Sequence, residues 1–162
     1  MKNEIEVIDN FLPDYYFKSL SNTILGDQFH WYYNDFTVME GDGKMAFFHL
    51  SYKSEGGPSP SFYQIESCLP FFKVKQIHRI KANLAPRTVF HQKCEWHTDN
   101  LPCSTTAILY MNTNNGWTEF KKHGRVKSIE NRVVIFDSNL EHRGVSCTDA
   151  ERRVLINFNY EV

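Results

Sequence analysis

The run Arg153-Val154-Leu155-Ile156-Asn157-Phe158-Asn159-Tyr160 sorts its side chains two ways. With the two-residue period of a strand, Val154, Ile156, Phe158 and Tyr160 share one face, and Arg153, Leu155, Asn157 and Asn159 share the other. An apolar face backed by a largely polar one fits a sheet that packs under helices on one side and lines a wet cavity on the other. Upstream lie further short alternating or β-branched stretches: Gln76–Leu84, Thr105–Asn112, Thr118–Lys122, Arg125–Ile129 and Arg132–Asp137. His123-Gly124 reads as a hairpin turn between two of them, and Asn131 as a turn before Arg132. Closely spaced strands behind helices gathered near the N-terminus predict a mainly β fold with N-terminal helices, a β-sandwich or jelly roll buttressed by helices.

The helices are signalled locally. Pro13 and Asp14 favour a helix start, Phe17, Leu20 and Ile24 fall on one face, and Gly26 can end it. A second short helix is expected from Ser61 to Leu69, with Phe62, Ile65 and Leu69 on one face and Pro70 as its stop. Between them, Phe29 to Tyr52 is aromatic-rich, with a Gly41-Asp42-Gly43 turn, and Ser54 to Pro60 (SEGGPSP) reads as a flexible surface loop that could act as a lid. The expected organisation is one domain over residues 1–162, with helical support over about 1–75 and the β core over about 76–162.

Composition agrees. A chain of 162 residues with 41% apolar and 15% aromatic content can bury one real core, whereas two domains would each fall short of buried surface. The 18 basic and 19 acidic residues nearly cancel, so overall charge gives no reason to expect a nucleic-acid partner. The opening MKNEIEVIDN lacks the charged start and apolar core of an export signal, and no run is long enough to span a bilayer, so a cytoplasmic protein without a membrane partner is expected. Cys68, Cys94, Cys103 and Cys147 form no CxxC pair or zinc-site spacing and read as free thiols in a reducing compartment.

The chemistry concentrates around Glu95-Trp96-His97-Thr98-Asp99-Asn100. His97 and Asp99 are two residues apart, so in extended chain both point to one face and can serve one ion. A third donor, His142, follows in Leu140-Glu141-His142-Arg143-Gly144, directly after an apolar strand. Two histidines and one carboxylate on one side of a metal leave the opposite positions open, the arrangement of non-haem Fe(II) oxygenases, although the same donors suit Zn(II). If a 2-oxo acid took two open positions, its far carboxylate would need a cation, and a guanidinium offers a planar two-point match. Arg153 lies on the polar face of the last strand and is the favoured anchor; Arg152 is the alternative.

The series His97-Thr98-Asp99, Tyr110-Met111-Asn112, Gly116-Trp117-Thr118-Glu119-Phe120, Val134-Ile135-Phe136-Asp137, His142-Arg143-Gly144 and Arg153, in that order over residues 76–162, resembles the Fe(II)/2-oxoglutarate-dependent dioxygenases, specifically their prolyl 4-hydroxylase-like branch. The closing strand is also similar to small members encoded by marine phages and bacteria. The resemblance implies a double-stranded β-helix, a distorted jelly roll, with the metal at one open mouth. It implies Fe(II) on His97, Asp99 and His142, 2-oxoglutarate and O2 as co-substrates, and ascorbate as a candidate reductant. It places the Tyr110 hydroxyl on the far carboxylate of 2-oxoglutarate beside the arginine and Asn83 as a polar lining residue.

By the same resemblance, a carboxylate at Asp99 favours hydroxylation over halogenation, and a peptidyl proline is the candidate substrate, with a small molecule as the alternative. Two departures stand out. Trp117 replaces a usual second glycine, and the interval from His142 to Arg153 is longer than is typical, which keeps Arg152 open. Nucleic-acid demethylases of the same superfamily carry a second arginine where this chain has Asn159. A metal-binding β-barrel without oxygenase activity would need the triad but not Arg153 or Tyr110. The sequence sets no oligomeric state.

Overall fold

The structure, a computed structural model, describes residues 5–99 and 104–162; Asn100 and Cys103 lie outside them. The strands are β1 (Glu6–Ile8), β2 (Tyr32–Asn34), β3 (Ala46–Lys53), β4 (Gly57–Pro58), β5 (Gln76–Pro86), β6 (Thr105–Tyr110), β7 (Trp117–Phe120), β8 (Gly124–Lys127), β9 (Val133–Asp137), β10 (His142–Val145) and β11 (Arg152–Glu161). They form an eight-stranded sheet in the order β1-β9-β6-β11-β5-β3-β2, with β4 on β3, and a three-stranded sheet in the order β10-β7-β8. All pairings are antiparallel. This is the mainly β, jelly-roll architecture expected, with helix α1 (Asp14–Leu25), the short α2 (Phe62–Ile65) and a 3₁₀ segment (Glu66–Phe72) on the outside of the large sheet. Among the described residues, no helix is long and apolar enough to cross a membrane.

The alternation in β11 sets the layers. Val154, Ile156, Phe158 and Tyr160 join Phe17, Leu20 and Ile24 of α1, with Ile65, Cys68 and Phe72, in the outer core. Each such side chain taken from water stabilises the fold by about 1.5–3 kcal/mol. On the inner side, Leu155 packs with Ile108 and Tyr110 of β6, Val134 and Phe136 of β9 and Phe120 of β7, closing the space between the two sheets. The end of that space left open by this inner cluster holds the site.

The turns follow the chemistry of their residues. Asn131 takes φ 56° and Gly124 φ 77°, as their turn positions require. The Asn131 amide also exchanges two hydrogen bonds with the backbone of Leu12, tying the N-terminal segment to the sheet.

Three expectations need correction. The region before residue 76 is not helical support alone, because β1, β2, β3 and β4 belong to the large sheet. Strand β3 was illegible because its pattern is inverted: His49 and Ser51 are buried, while Leu50 is 38% exposed. The buried polar groups are satisfied by one another's neighbours, His49 Nδ1 by the carbonyl of His30 and His49 Nε2 and Ser51 by the Ser61 hydroxyl. Ser54–Pro60 is accordingly not a free lid but a hairpin folded back through β4 onto β3. Finally, Pro70 does not stop the second helix; it lies inside the 3₁₀ segment. Its fixed φ suits a helical turn, and only the bond from its missing N–H is lost.

Candidate active site

The histidine-bearing segments meet edge to edge. His97 N donates to His142 O at 3.1 Å and His142 N to His97 O at 2.9 Å, an isolated antiparallel bridge that extends the small sheet beyond β10. The two rings then lie 4.5 Å apart between centroids. Ligand atoms of His97, Asp99 and His142 all fall within 4.8 Å of one another.

The donor set fits a metal ion in detail. His97 Nδ1 lies 3.1 Å from the carbonyl of Glu95 and His142 Nδ1 lies 2.9 Å from that of Leu140. A carbonyl only accepts, so each Nδ1 carries the proton and each Nε2 keeps a lone pair for an ion. Burial, reinforced by the neighbouring His97, holds His142 below the ordinary histidine value against the opposing Leu140 carbonyl and Asp99. The ring is thereby kept in the neutral form that metals bind.

Asp99 is held on both oxygens. Arg79 Nη2 donates to Oδ1 at 2.7 Å, and the Thr106 hydroxyl and Asn159 Nδ2 donate to Oδ2 at 2.7 and 3.0 Å. Burial would raise its pKa, but the Arg79 charge and these hydrogen bonds outweigh it and leave the carboxyl below its ordinary value. The carboxylate stays ionised and retains acceptor capacity on Oδ1 for an ion.

These groups open on a cavity of about 620 Å³, within the range of small-molecule sites. At its inner end lies Arg153, 5% exposed. Its Nε donates to the Ser128 hydroxyl at 2.8 Å and its Nη2 to the Thr118 hydroxyl at 3.1 Å. No carboxylate of the described residues pairs with it. Burial pulls the guanidinium below its ordinary value, only partly offset by Tyr110, Cys94 and Cys147. Since a guanidinium cannot shed its proton in a protein, the uncompensated charge persists. Arg152 points the other way, its Nη2 donating at 2.8 Å to the carbonyl of Leu25 at the end of α1. The face assignment from the strand period therefore matches the structure.

Tyr110 is fully buried and its hydroxyl donates at 2.8 Å to Thr118 Oγ1, which also accepts from Arg153. With both acceptor sites used, the Thr118 hydroxyl hydrogen is left to point elsewhere, and Thr118 lines the cavity. Tyr110 thus positions Thr118. Asn83 lines the cavity, and its Nδ2 donates to the Lys81 carbonyl.

Glycine at 116 makes the inner end possible. A Cβ there would fall 2.7 Å from Arg153 Cδ and 2.8 Å from the Val145 carbonyl oxygen. Trp117 carries its bulk away from this point, between His91 and Arg125. Sequence reasoning missed Arg79, Lys81, Thr106, Thr118 and Ser128. The first two had a readable signal, since Arg79, Lys81 and Asn83 alternate with Ile80, Ala82 and Leu84 on β5 as the polar and apolar residues do on β11.

No family model and no curated protein matches the sequence. Solved structures do. A prolyl hydroxylase of Trichoplax adhaerens, determined with a hypoxia-inducible-factor peptide, superposes with a TM-score of 0.65 at 15% identity, covering 99% of this chain and 84% of its own. A prolyl 4-hydroxylase of Pseudomonas putida gives 0.64 at 11% identity, covering 99% and 94%. The non-haem α-ketoglutarate-dependent epimerase SnoN of nogalamycin biosynthesis gives 0.67 at 10%, covering 98% and 77%. The fold is therefore the double-stranded β-helix of prolyl hydroxylases and related 2-oxoglutarate–Fe(II) oxygenases.

Proposed function

We propose that this protein is an Fe(II)- and 2-oxoglutarate-dependent dioxygenase of the prolyl 4-hydroxylase-like type. The observation that carries the reading is a buried guanidinium with no counterion among the described residues, Arg153, in the same cavity as the His97, Asp99 and His142 cluster. A metal site that only stabilised the fold, or a hydrolytic zinc site, would give that charge nothing to do.

In this reading His97, Asp99 and His142 hold Fe(II). Arg153 and the Thr118 hydroxyl bind the far carboxylate of 2-oxoglutarate, Tyr110 and Ser128 hold those two groups in place, and Asn83 lines the pocket. When bound, the metal and 2-oxoglutarate would supply the oxidation of a C–H bond by O2, with release of succinate and CO2. The chain contributes position and environment. Arg79, Thr106 and Asn159 fix the Asp99 carboxylate, and Trp96, stacked under Arg143 at 4.1 Å, lines the cavity.

The substrate is a peptide, a peptidyl proline being the candidate, or a small molecule; structures of this fold include a prolyl hydroxylase with a peptide and an epimerase of antibiotic biosynthesis. Asn159, at the position of the second arginine of nucleic-acid demethylases, is committed to Asp99 and supports neither phosphate nor base binding. The test is succinate formation from 2-oxoglutarate by the Fe(II)-loaded protein. Turnover that requires Fe(II) and is lost in His142→Ala is expected. Metal-loaded, folded protein that never converts 2-oxoglutarate, with or without proline peptides, would count against the proposal.

A further inference from the structure

The cavity is more cationic than the proposed chemistry needs. Among the described residues its lining carries Arg79, Lys81 and Arg153 against a single carboxylate, Asp99, in a chain whose overall charge is only −1. Arg79 and Asp99 neutralise each other at 2.7 Å. Arg153 is the anchor for the co-substrate. Lys81 is left over: no carboxylate of the described residues pairs with it, and its one close partner is the ring of Phe48, with Nζ 4.8 Å from the centroid.

Register shows why Lys81 is not a second anchor for the same diacid. On the cavity face of β5 and β11, Arg79 lies opposite Asn159 at the metal end and Ala85 lies opposite Arg153 at the inner end. The path from the triad to Arg153 therefore runs along β11. Lys81 is on the neighbouring strand, and its ammonium leans away from β11 onto Phe48 of β3. Thr37, Val38 and Met39 line the same cavity, whose volume of about 620 Å³ leaves space for a second molecule beside the co-substrate.

Asn157, directly across the ladder from Lys81, buries an amide oxygen with no donor among the described residues; that acceptor calls for a donor group on a bound molecule and is separate from the anion that Lys81 would take. Burial first, and then the charge of Arg79, hold Lys81 below the ordinary lysine value, with Asp99 opposing. An anion beside the ammonium would relieve both effects.

We propose that the substrate carries an anionic group, a carboxylate or a phosphate, that docks on Lys81 while Arg153 holds 2-oxoglutarate. This rests on the oxygenase reading, and it narrows that reading: a neutral proline peptide leaves Lys81 unmatched. Lysine acts as a point charge and accepts either anion, so the two are separated by experiment.

The protein is loaded anaerobically with 2-oxoglutarate and Mn(II), a paramagnetic stand-in for iron, and proton relaxation of added benzoate, phenyl phosphate and neutral benzamide is measured. Saturable relaxation of at least one anion, and not of benzamide, is expected, with the preferred anion naming the group. Lys81→Met should weaken that anion by about tenfold, the usual value of a hydrogen bond to a charge, and Lys81→Arg should retain it. Binding of 2-oxoglutarate should be unchanged in both variants. Equal relaxation by benzamide, no saturable relaxation by either anion, or an unchanged anion affinity in Lys81→Met would overturn the proposal. So would a loss of 2-oxoglutarate affinity in Lys81→Met, which would assign the lysine to the co-substrate. Failure of the unsubstituted protein to bind 2-oxoglutarate in the presence of metal would instead overturn the oxygenase reading, and this proposal with it.

Discussion

Arg79 donates from Nη2 to Asp99 Oδ1 at 2.7 Å, joining β5 of the large sheet to the carboxylate that completes the metal cluster. Burial alone would favour the protonated acid at Asp99, and the guanidinium is the principal influence that reverses this. In Arg79→Met the Asp99 pKa should rise. A carboxyl-carbon NMR titration of the metal-free protein reads it directly; an Asp99 titration that stays in place would show that Arg79 does not control the carboxylate.

The two neutral donors to Asp99 also fix its orientation. Thr106→Val removes the 2.7 Å bond to Oδ2 and should weaken metal binding by about 10–100-fold, the usual effect of losing a partner that orients a ligand. Equilibrium metal titration of the folded variant at neutral pH checks it.

Arg153 and Arg152 should differ sharply. Removing the buried anchor in Arg153→Met deprives a ligand carboxylate of its charged partner, a loss of about 2–5 kcal/mol, or roughly 30-fold and more in 2-oxoglutarate affinity. Arg152→Met, whose side chain is spent on the Leu25 carbonyl, should leave that affinity unchanged and lower the melting temperature slightly. Calorimetric titration with 2-oxoglutarate in the presence of metal separates them.

Gly116→Ala tests the close approach behind the anchor. The added Cβ meets Arg153 Cδ at 2.7 Å and backbone oxygen at 2.8 Å, so something must shift. Overpacking of this kind costs about 1–3 kcal/mol, and here it should also displace the guanidinium. Both a lower melting temperature and weaker 2-oxoglutarate binding are expected; lower stability with intact binding would mean that Arg153 does not depend on this glycine.

Asp42 organises the loop over the cavity. Its carboxylate accepts from the Thr37 hydroxyl and from the amides of Thr37, Val38 and Lys44. Although burial opposes it, these bonds depress its pKa well below the ordinary aspartate value of 3.8. A depressed acid stabilises the fold above its unfolded value and loses that contribution as pH falls through the folded one. Loop order should therefore survive at pH 4 and fail only in stronger acid, and Asp42→Ala should loosen it at neutral pH. Amide exchange at Thr37 and Val38 is the measurement.

The sequence was most legible where one residue's neighbours on the same strand shared its environment. The alternation of Val154 to Tyr160 announced both layers at once, and His97, Asp99 and His142 announced themselves by residue type. What could not be read was set by partners distant in the chain. Strand β3 hides because His49 and Ser51 are buried against residues of other segments, reversing the usual pattern. The Tyr110 hydroxyl turned out to reach Thr118, because only the pairing of the two sheets decides which group stands beside it. Arg79 and Lys81 look like ordinary surface cations until β5 is placed inside the large sheet, between β11 and β3.

The most direct test of the account is optical. Adding Fe(II) and then 2-oxoglutarate to the protein without O2 should produce the weak visible charge-transfer band of a chelated 2-oxo acid, with the band absent in His97→Ala and requiring far more 2-oxoglutarate in Arg153→Met. Folded, iron-loaded protein that shows no such band at saturating 2-oxoglutarate would contradict the assignment of His97, Asp99, His142 and Arg153 to one oxygenase site.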